Sequence, residues 1–270
     1  NLSATLIREF GVPIPPLPEQ RRIAAVLKTW DDAFDALDRL IACRQRELDA
    51  TRARLLYHHR VDEHGPGQWT RVRLADVLTE HGLQSTGAEP VFSVSVHKGL
   101  VDQVEHLGRS FAAANTSQYN RVLPGDIVYT KSPTGDFPLG IIKQYLSGRT
   151  AIVSPLYGVF TPKTPALGFL IDRIFSSPLA TKNYLTPLVQ RGPKNTMSIT
   201  NTQFLSGTLV LPLDEAVQAE LAAFFEDGLA EISALTRKRN ALQRQKCGLM
   251  QKLLTGEWRV PESIQIENAA

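Results

Sequence analysis

Two stretches of this sequence repeat one another at a fixed offset. Laying Gln20 on Gln218 also lays Ala24, Ala25, Ala36, Leu37, Arg39, Gln45, Arg46, Leu55 and Leu56 on Ala222, Ala223, Ala234, Leu235, Arg237, Gln243, Arg244, Leu253 and Leu254, without a gap. Such self-similarity marks a duplicated structural unit and constrains the fold before any single element is assigned. Alternate steps of four and three from Ile23 reach Leu27, Trp30, Phe34, Leu37, Ile41, Arg44, Leu48, Thr51 and Leu55. The same steps in the second copy reach Leu221, Phe225, Gly228, Ile232, Leu235, Arg239, Leu242, Lys246, Leu249 and Leu253. This spacing of 3.5 residues is the seam of a left-handed coiled coil, so each copy reads as one long helix with its apolar members as the interface.

The first helix is predicted from Glu19 to about His58, roughly 60 Å at the usual rise of 1.5 Å per residue. Pro16 and Pro18 mark its start, and Gly65-Pro66-Gly67 lies beyond its end. The second begins after Pro212 and Leu213, with Asp214 as N-cap, and stops before Gly256. Two amphipathic helices on an ordinary core are the alternative. Against it stand the strict spacing, the charged remaining faces and the duplication on either side of a different kind of segment. An antiparallel pair would set position 23 opposite 253 and Cys43 opposite Ser233, leaving Cys43 and Cys247 unbridged.

Residues 61–210 carry most of the prolines and glycines and only short apolar runs, the texture of a mixed α/β globular domain. Val91–Val96 alternates as a half-buried strand, with a Lys98-Gly99 turn after it; Asp126–Thr130, Leu139–Lys143 and Ala151–Phe160 are further strand candidates. Two helices are expected around Leu167–Ile174 and Ala180–Leu188, separated by Ser176-Ser177-Pro178. The expected fold class is therefore α+β: a mixed α/β domain plus a long antiparallel two-helix coiled coil. The divisions are 1–13, 14–60 (first helix), 61–210 (domain), 211–258 (second helix) and a tail at 259–270.

The formal net charge of +3 says little by itself, but its distribution says more. Between Arg109 and Asn201 ten Lys/Arg face three acids, Asp126, Asp136 and Asp172. A basic stretch of this kind suits a phosphate-facing surface; an uneven solvated surface is the plainer reading. Three polar, basic loops are the candidate contacts: Tyr119-Asn120-Arg121, the segment with Lys131, Ser132 and Thr134, and the segment with Arg191, Lys194, Asn195 and Thr196. The last puts two cations, an amide and a hydroxyl around Gly192 and Pro193, a set able to contact phosphates and base edges. Double-stranded DNA is the partner expected from these residues.

Catalytic motifs do not appear. There is no dinucleotide or Walker glycine loop and no His-Glu-x-x-His. The sole adjacent prolines, Pro15 and Pro16, lack the flanks of an adenine methyltransferase motif. No catalytic residue, cofactor site or metal site is assigned. His58, His59, Asp62, Glu63 and His64 have metal-ligand chemistry, but a polar hinge is the simpler reading. Pro124-Gly125-Asp126 reads as a turn into the next strand rather than a nuclease acid. Two distant cysteines and no apolar run near 20 residues point to a cytoplasmic chain with no membrane partner. Asn1 stands where a Met or a signal segment would, so a processed product or fragment is expected.

Ile14-Pro15-Pro16-Leu17-Pro18-Glu19-Gln20-Arg21-Arg22-Ile23-Ala24 resembles the entry into a conserved helix of type I restriction-modification specificity (S) subunits. Lys252-Leu253-Leu254-Thr255-Gly256-Glu257 resembles the matching exit from their distal conserved region. The resemblance implies two target recognition domains held apart by paired helices, each reading half of a split site, with the helices as spacer. This chain carries one such domain, and Asn1–Pro13 resembles the tail of an absent first one. It implies a non-catalytic DNA-recognition role in phage defence, with methyltransferase subunits docking on the helices. A nuclease/translocase subunit joins in the full complex, and self-association of two copies is a further expectation. The recognition end of a fused restriction-methylation enzyme, or a coiled-coil scaffold that binds no DNA, are the alternatives.

Overall fold

A computed structural model of the chain describes residues 13–57, 69–96, 98–107, 115–191 and 197–262. Residues 1–12, the His58–His64 cluster, the Gly65-Pro66-Gly67 punctuation, and Lys194, Asn195 and Thr196 lie outside the described residues. In chain order the elements are α1 (Leu17–Arg52), a π-helical turn (Ala53–Tyr57), β1 (Trp69–Arg73), a 3-10 turn (Leu74–Asp76), β2 (Leu78–Glu80), β3 (Phe92–Ser95), β4 (Gly99–Asp102), α2 (Gln103–Leu107), β5 (Asn120–Val122), β6 (Ile127–Tyr129), β7 (Ile142–Gln144), β8 (Ala151–Val153), β9 (Gly158–Pro162), α3 (Pro165–Phe175), α4 (Pro178–Leu185), a 3-10 turn (Thr186–Leu188), β10 (Gln190–Arg191), β11 (Met197–Ser198), α5 (Asn201–Ser206), β12 (Thr208–Pro212) and α6 (Glu215–Leu254). The chain is α+β. It divides into two compact units, Asn1–Asp49 with Asp227–Ala270, and Ala50–Glu226. No helix among the described residues is long and apolar enough to cross a membrane.

The first unit is the antiparallel pairing of α1 and α6. Backbone N–H groups of Glu19 and Gln20 donate to the Pro16 carbonyl at the start of α1 (2.9 and 3.0 Å). Its α-helix ends at Arg52 and gives way to one π-helical turn, a little short of the predicted His58. Along the stripe, Ile23, Phe34 and Leu253 are buried; Leu27, Trp30, Leu37, Ile41, Leu48, Ile232, Leu235, Leu242 and Leu249 are half-buried, and Arg44 is exposed. Ile23, Leu253 and Val260 form one apolar cluster, with Val26, Leu27 and Leu249 against it. In the same register Leu48 lies over Gly228: a Cβ there would come within 2.9 Å of a Leu48 methyl, so the small residue makes room for the large one. Cys43 and Cys247 are free and exposed.

The second unit is built on the four-stranded antiparallel sheet β2-β9-β6-β7, with two-stranded pairs β1-β12, β3-β4, β5-β8 and β10-β11 around it. α3 packs its apolar residues Leu167, Leu170, Ile171, Ile174 and Phe175 inward. Thr164 caps it by accepting the Leu167 N–H, with Pro165 in the first turn. Ser177 and Pro178 repeat the device for α4, which is why the helical pattern breaks at Ser176-Ser177-Pro178. Asp214 Oδ1 accepts from the N–H groups of Ala216 and Val217 (2.8 and 3.1 Å) at the start of α6.

At the centre of this unit sits Phe204 from the short helix α5. Its ring stacks on Tyr129 (4.9 Å between centroids) and Phe160 (5.0 Å) of the sheet, and meets Tyr184 (5.8 Å) and Phe175 (6.5 Å) of α4 and α3. The Tyr184 hydroxyl donates to the Phe204 carbonyl. A second cluster, Phe92, Val122, Val128, Tyr145, Ala151, Val153 and Val159, fills the space under β3 and β8.

Three details differ from the sequence reading. Ala151–Phe160 is two strands, because Tyr157 N–H closes a turn on the Ser154 carbonyl (3.0 Å) and Pro155 has no N–H for a ladder. The strand expected at Leu139–Lys143 is Ile142–Gln144, since the residues before it form a loop anchored through side chains. The pairing of β1 with β12 joins Trp69 to Pro212 and Arg73 to Thr208, a contact between strands far apart in sequence.

Candidate nucleic-acid interface

Sheet register determines which loops can share a surface. Glu80 is opposite Phe160, while Tyr129 is opposite both Gly158 and Ile142. The chain leaving β2, the loop from β6 to β7 and the turn before β9 therefore emerge at the same end of the sheet. Two further segments are tied there by side chains. Asn120 Nδ2 donates to the Tyr157 carbonyl (2.9 Å), and Asn201 Nδ2 donates to Glu80 Oε1. The backbone adds bonds from Ser85 N–H to the Tyr119 carbonyl and from Arg121 N–H to the Leu83 carbonyl, both 2.9 Å.

The loop from β6 to β7 is anchored on both sides and exposed between. Thr130 exchanges bonds with Ile141 through its N–H and its hydroxyl (3.0 Å each), and the Tyr129 hydroxyl donates to the Leu139 carbonyl (2.8 Å). Phe137 is buried, and Thr134 and Phe137 exchange backbone bonds across a tight turn. Ser132, Thr134 and Asp136 are left facing solvent. Lys131 has φ +59°, a left-handed conformation that costs a non-glycine residue about 1–3 kcal/mol and persists only where neighbours enforce it. Gly140 (φ +106°) lies directly against it: a Cβ there would come within 2.8 Å of the Lys131 nitrogen, so a residue without a side chain admits this close approach. Burial pushes the Lys131 ammonium below the usual lysine range, and Glu80 opposes the shift.

Several of the sequence-predicted residues have structural work. Asn120 is engaged as described. Arg121 Nε lies 3.0 Å from Glu89 Oε1, close enough for an ion pair though not aligned as a hydrogen bond. Burial alone would raise the Glu89 carboxyl; the Thr86 hydroxyl and N–H, with Arg121, bring it down to about 2. Arg191 opposite Met197 closes the β10-β11 pair, and residues 192–196 that join these strands lie outside the described residues. Lys143 and Arg173 both pair with the buried Asp172, and Arg149 pairs with Asp102 (2.8 Å). Four cations of the basic stretch, Arg121 included, are thus held in ion pairs, two of them by acids outside it.

Asp126 is also accounted for. Its buried carboxylate accepts from Leu123 N–H and the Thr161 hydroxyl (2.7 Å each) and from His81 Nε2 (3.0 Å). His81 Nδ1 accepts the Leu83 N–H (3.1 Å), so the ring donates from Nε2. The sequence reading missed Glu80, Asn201 and Tyr157 as neighbours of the loops. One signal was present: Thr200-Asn201-Thr202-Gln203 is a capping box, with Thr200 Oγ1 accepting from Gln203 N–H and Gln203 Oε1 accepting from Thr200 N–H.

No family model and no curated protein sequence matches the chain. Solved structures do. The HsdS subunit from Thermoanaerobacter tengcongensis superposes with a TM-score of 0.51 at 18% identity, covering 92% of this chain and 60% of that one. It is the S-subunit fold. The type I restriction-modification S subunit from M. genitalium gives 0.52 at 13% identity, covering 94% of this chain and 66% of that one. A chain from a structure on complex assembly and conformational transition of the type I R-M system gives 0.52 at 17%, covering 92% and 62%. This chain spans about 60% of the length of the first of these S-subunit folds.

Proposed function

We propose that the chain is a DNA-recognition subunit of a type I restriction-modification complex, reading one half-site through the second unit. Residues 61–210 are the target recognition domain in this reading, and the helical regions 14–60 and 211–258 serve as spacer and as docking surface for methyltransferase subunits. Methylation, translocation and cleavage belong to the partner chains. The observation that carries the reading is the convergence of separate loops at one end of the four-stranded sheet, within an S-subunit fold.

Within that surface we assign base and phosphate contacts to Tyr119, Lys131, Ser132 and Thr134; the segment with Arg191, Lys194, Asn195 and Thr196 is assigned further contacts on its side-chain chemistry alone. Arg121 and Asn120 act by holding the surface in shape, since their side chains are committed to Glu89 and to backbone carbonyls. The strain at Lys131 fits this role, because a left-handed residue is retained where a side chain must be aimed. The test is to reconstitute the chain with methyltransferase subunits and sequence the methylated DNA. A shared motif lost on Lys131→Ala and Thr134→Ala substitution supports the assignment. Methylation without a motif, or one indifferent to both substitutions, overturns it.

A further inference from the structure

We propose that three ion pairs between α1 and α6 form a register key, which admits one alignment of the helices and disfavours those one heptad away. Over most of its length the apolar stripe does not choose, because a seven-residue slip lays apolar residues on apolar residues again. The charges do choose. Along α1 they run acid, acid, base: Asp31, Asp38 and Arg44. Their partners on α6 answer base, base, acid: Lys246 on Asp31, Arg239 on Asp38 (3.1 Å) and Glu231 on Arg44 (3.3 Å).

A slip of seven in one direction brings Asp38 to Glu231. The opposite slip brings Arg44 to Lys238 and Arg239. Either way like charges meet, and only one opposite-charge pair forms in place of the three, Asp31 with Arg239 or Asp38 with Lys246. A uniform acidic run facing a uniform basic run would tolerate both slips, so the sign reversal at Arg44 and Glu231 removes the degeneracy.

Two other features belong to the same alignment. Arg239 and Lys246 occupy stripe positions where apolar residues would pack, and their cationic ends flank the Phe34 ring at 5.8 Å each. Polar residues at seam positions give up packing and gain specificity of register. Leu48 fits over Gly228, and a slip of seven would set it on Leu221 or Leu235, large against large. If the helices are the spacer proposed above, one slip changes its length by roughly 10 Å. That consequence rests on the functional reading; the key does not.

The experiment uses the full chain carrying Cys43→Ser and Cys247→Ser. Cysteine pairs report the alignment: Ile41→Cys with Leu235→Cys for the one observed, Leu37→Cys with Ile232→Cys and Ile41→Cys with Leu242→Cys for the two slips. The observed-alignment pair should crosslink about tenfold more than either slipped pair. Adding Glu231→Lys, which opposes Arg44 and offers Asp38 a partner, should raise the 37/232 crosslink roughly threefold, and Arg44→Glu in the same chain should reverse this. On the unsubstituted background, 1 M salt, with a screening length of about 3 Å, should narrow the tenfold preference. A crosslink ratio unmoved by Glu231→Lys and by salt, or unrestored by the double exchange, overturns the key. Normal crosslinking in a chain that binds no DNA would instead sink the functional reading and leave the key standing.

Discussion

The two units hold themselves together in different ways. The second unit closes around aromatic rings, with Phe204 packed among Tyr129, Phe160, Phe175 and Tyr184 and no charge in that cluster. The helix pair has a thin seam, mostly half-buried, in which Arg239 and Lys246 replace apolar residues around Phe34. Burial scales with the apolar area removed from water, so the aromatic cluster supplies stability in bulk. Ion pairs with at least one partner open to solvent, as all three of the helix pair are, add little stability, and in the proposal above they act on alignment. One region closes around a buried aromatic core, the other along a thin seam carrying charges.

Substitutions can break this contrast, beginning with the largest effect. Phe204→Ala should cost about 3–5 kcal/mol, the usual range for emptying a buried phenylalanine site. Hydrogen exchange should show the loss across β1 to β12, with amides of α1 from Asp31 to Leu48 and of α6 from Gly228 to Lys246 far less affected. Phe34→Ala should cost less, roughly 2 kcal/mol, because a two-helix seam collapses around the gap more readily than a closed core. Its exchange signature should be the reverse, concentrated in α1 and α6.

Lys131 tests the surface rather than either core. Lys131→Gly should leave the fold intact and slightly more stable, by less than about 1 kcal/mol, since glycine takes a positive φ without strain. The same substitution should weaken DNA binding. Loss of both stability and binding would mean that the ammonium is a structural group.

A further effect concerns pH. Glu89 is held down to about 2 in the folded chain against an ordinary value of 4.5. A depressed carboxyl contributes stability that is present above its unfolded value and lost as pH falls toward the folded one. Glu89→Gln should therefore show a smaller drop in urea midpoint between pH 5 and pH 2 than the unsubstituted chain. An equal drop in both would remove Glu89 from the forces shaping the surface around Arg121.

How much was legible beforehand follows the same division. The helices were readable because a heptad seam is local and repeats, and because Pro18, Asp214 and Gly256 punctuate them. Ser176-Ser177-Pro178 was readable for the same local reason. The β1-β12 pair was not: Trp69–Arg73 is short and carries two arginines, and its partner lies at the far end of the domain. Net charge was the most misleading signal. Counting cations between Arg109 and Asn201 cannot tell Lys131 from Arg149, which neutralises Asp102 and sits over the Phe92 ring. Commitment to a partner is a property of the folded chain, and Glu89 and Asp102 lie outside the stretch that was counted.

The central claim is that the second unit reads DNA with the surface at one end of its four-stranded sheet. The most direct measurement is selection of duplexes from a randomised library by the full chain, with affinity for the enriched duplex followed over a salt series. The account predicts a short enriched motif, affinity that falls linearly in log units with salt, and a slope reduced by about one on Lys131→Ala. No enrichment together with salt-independent affinity would contradict it.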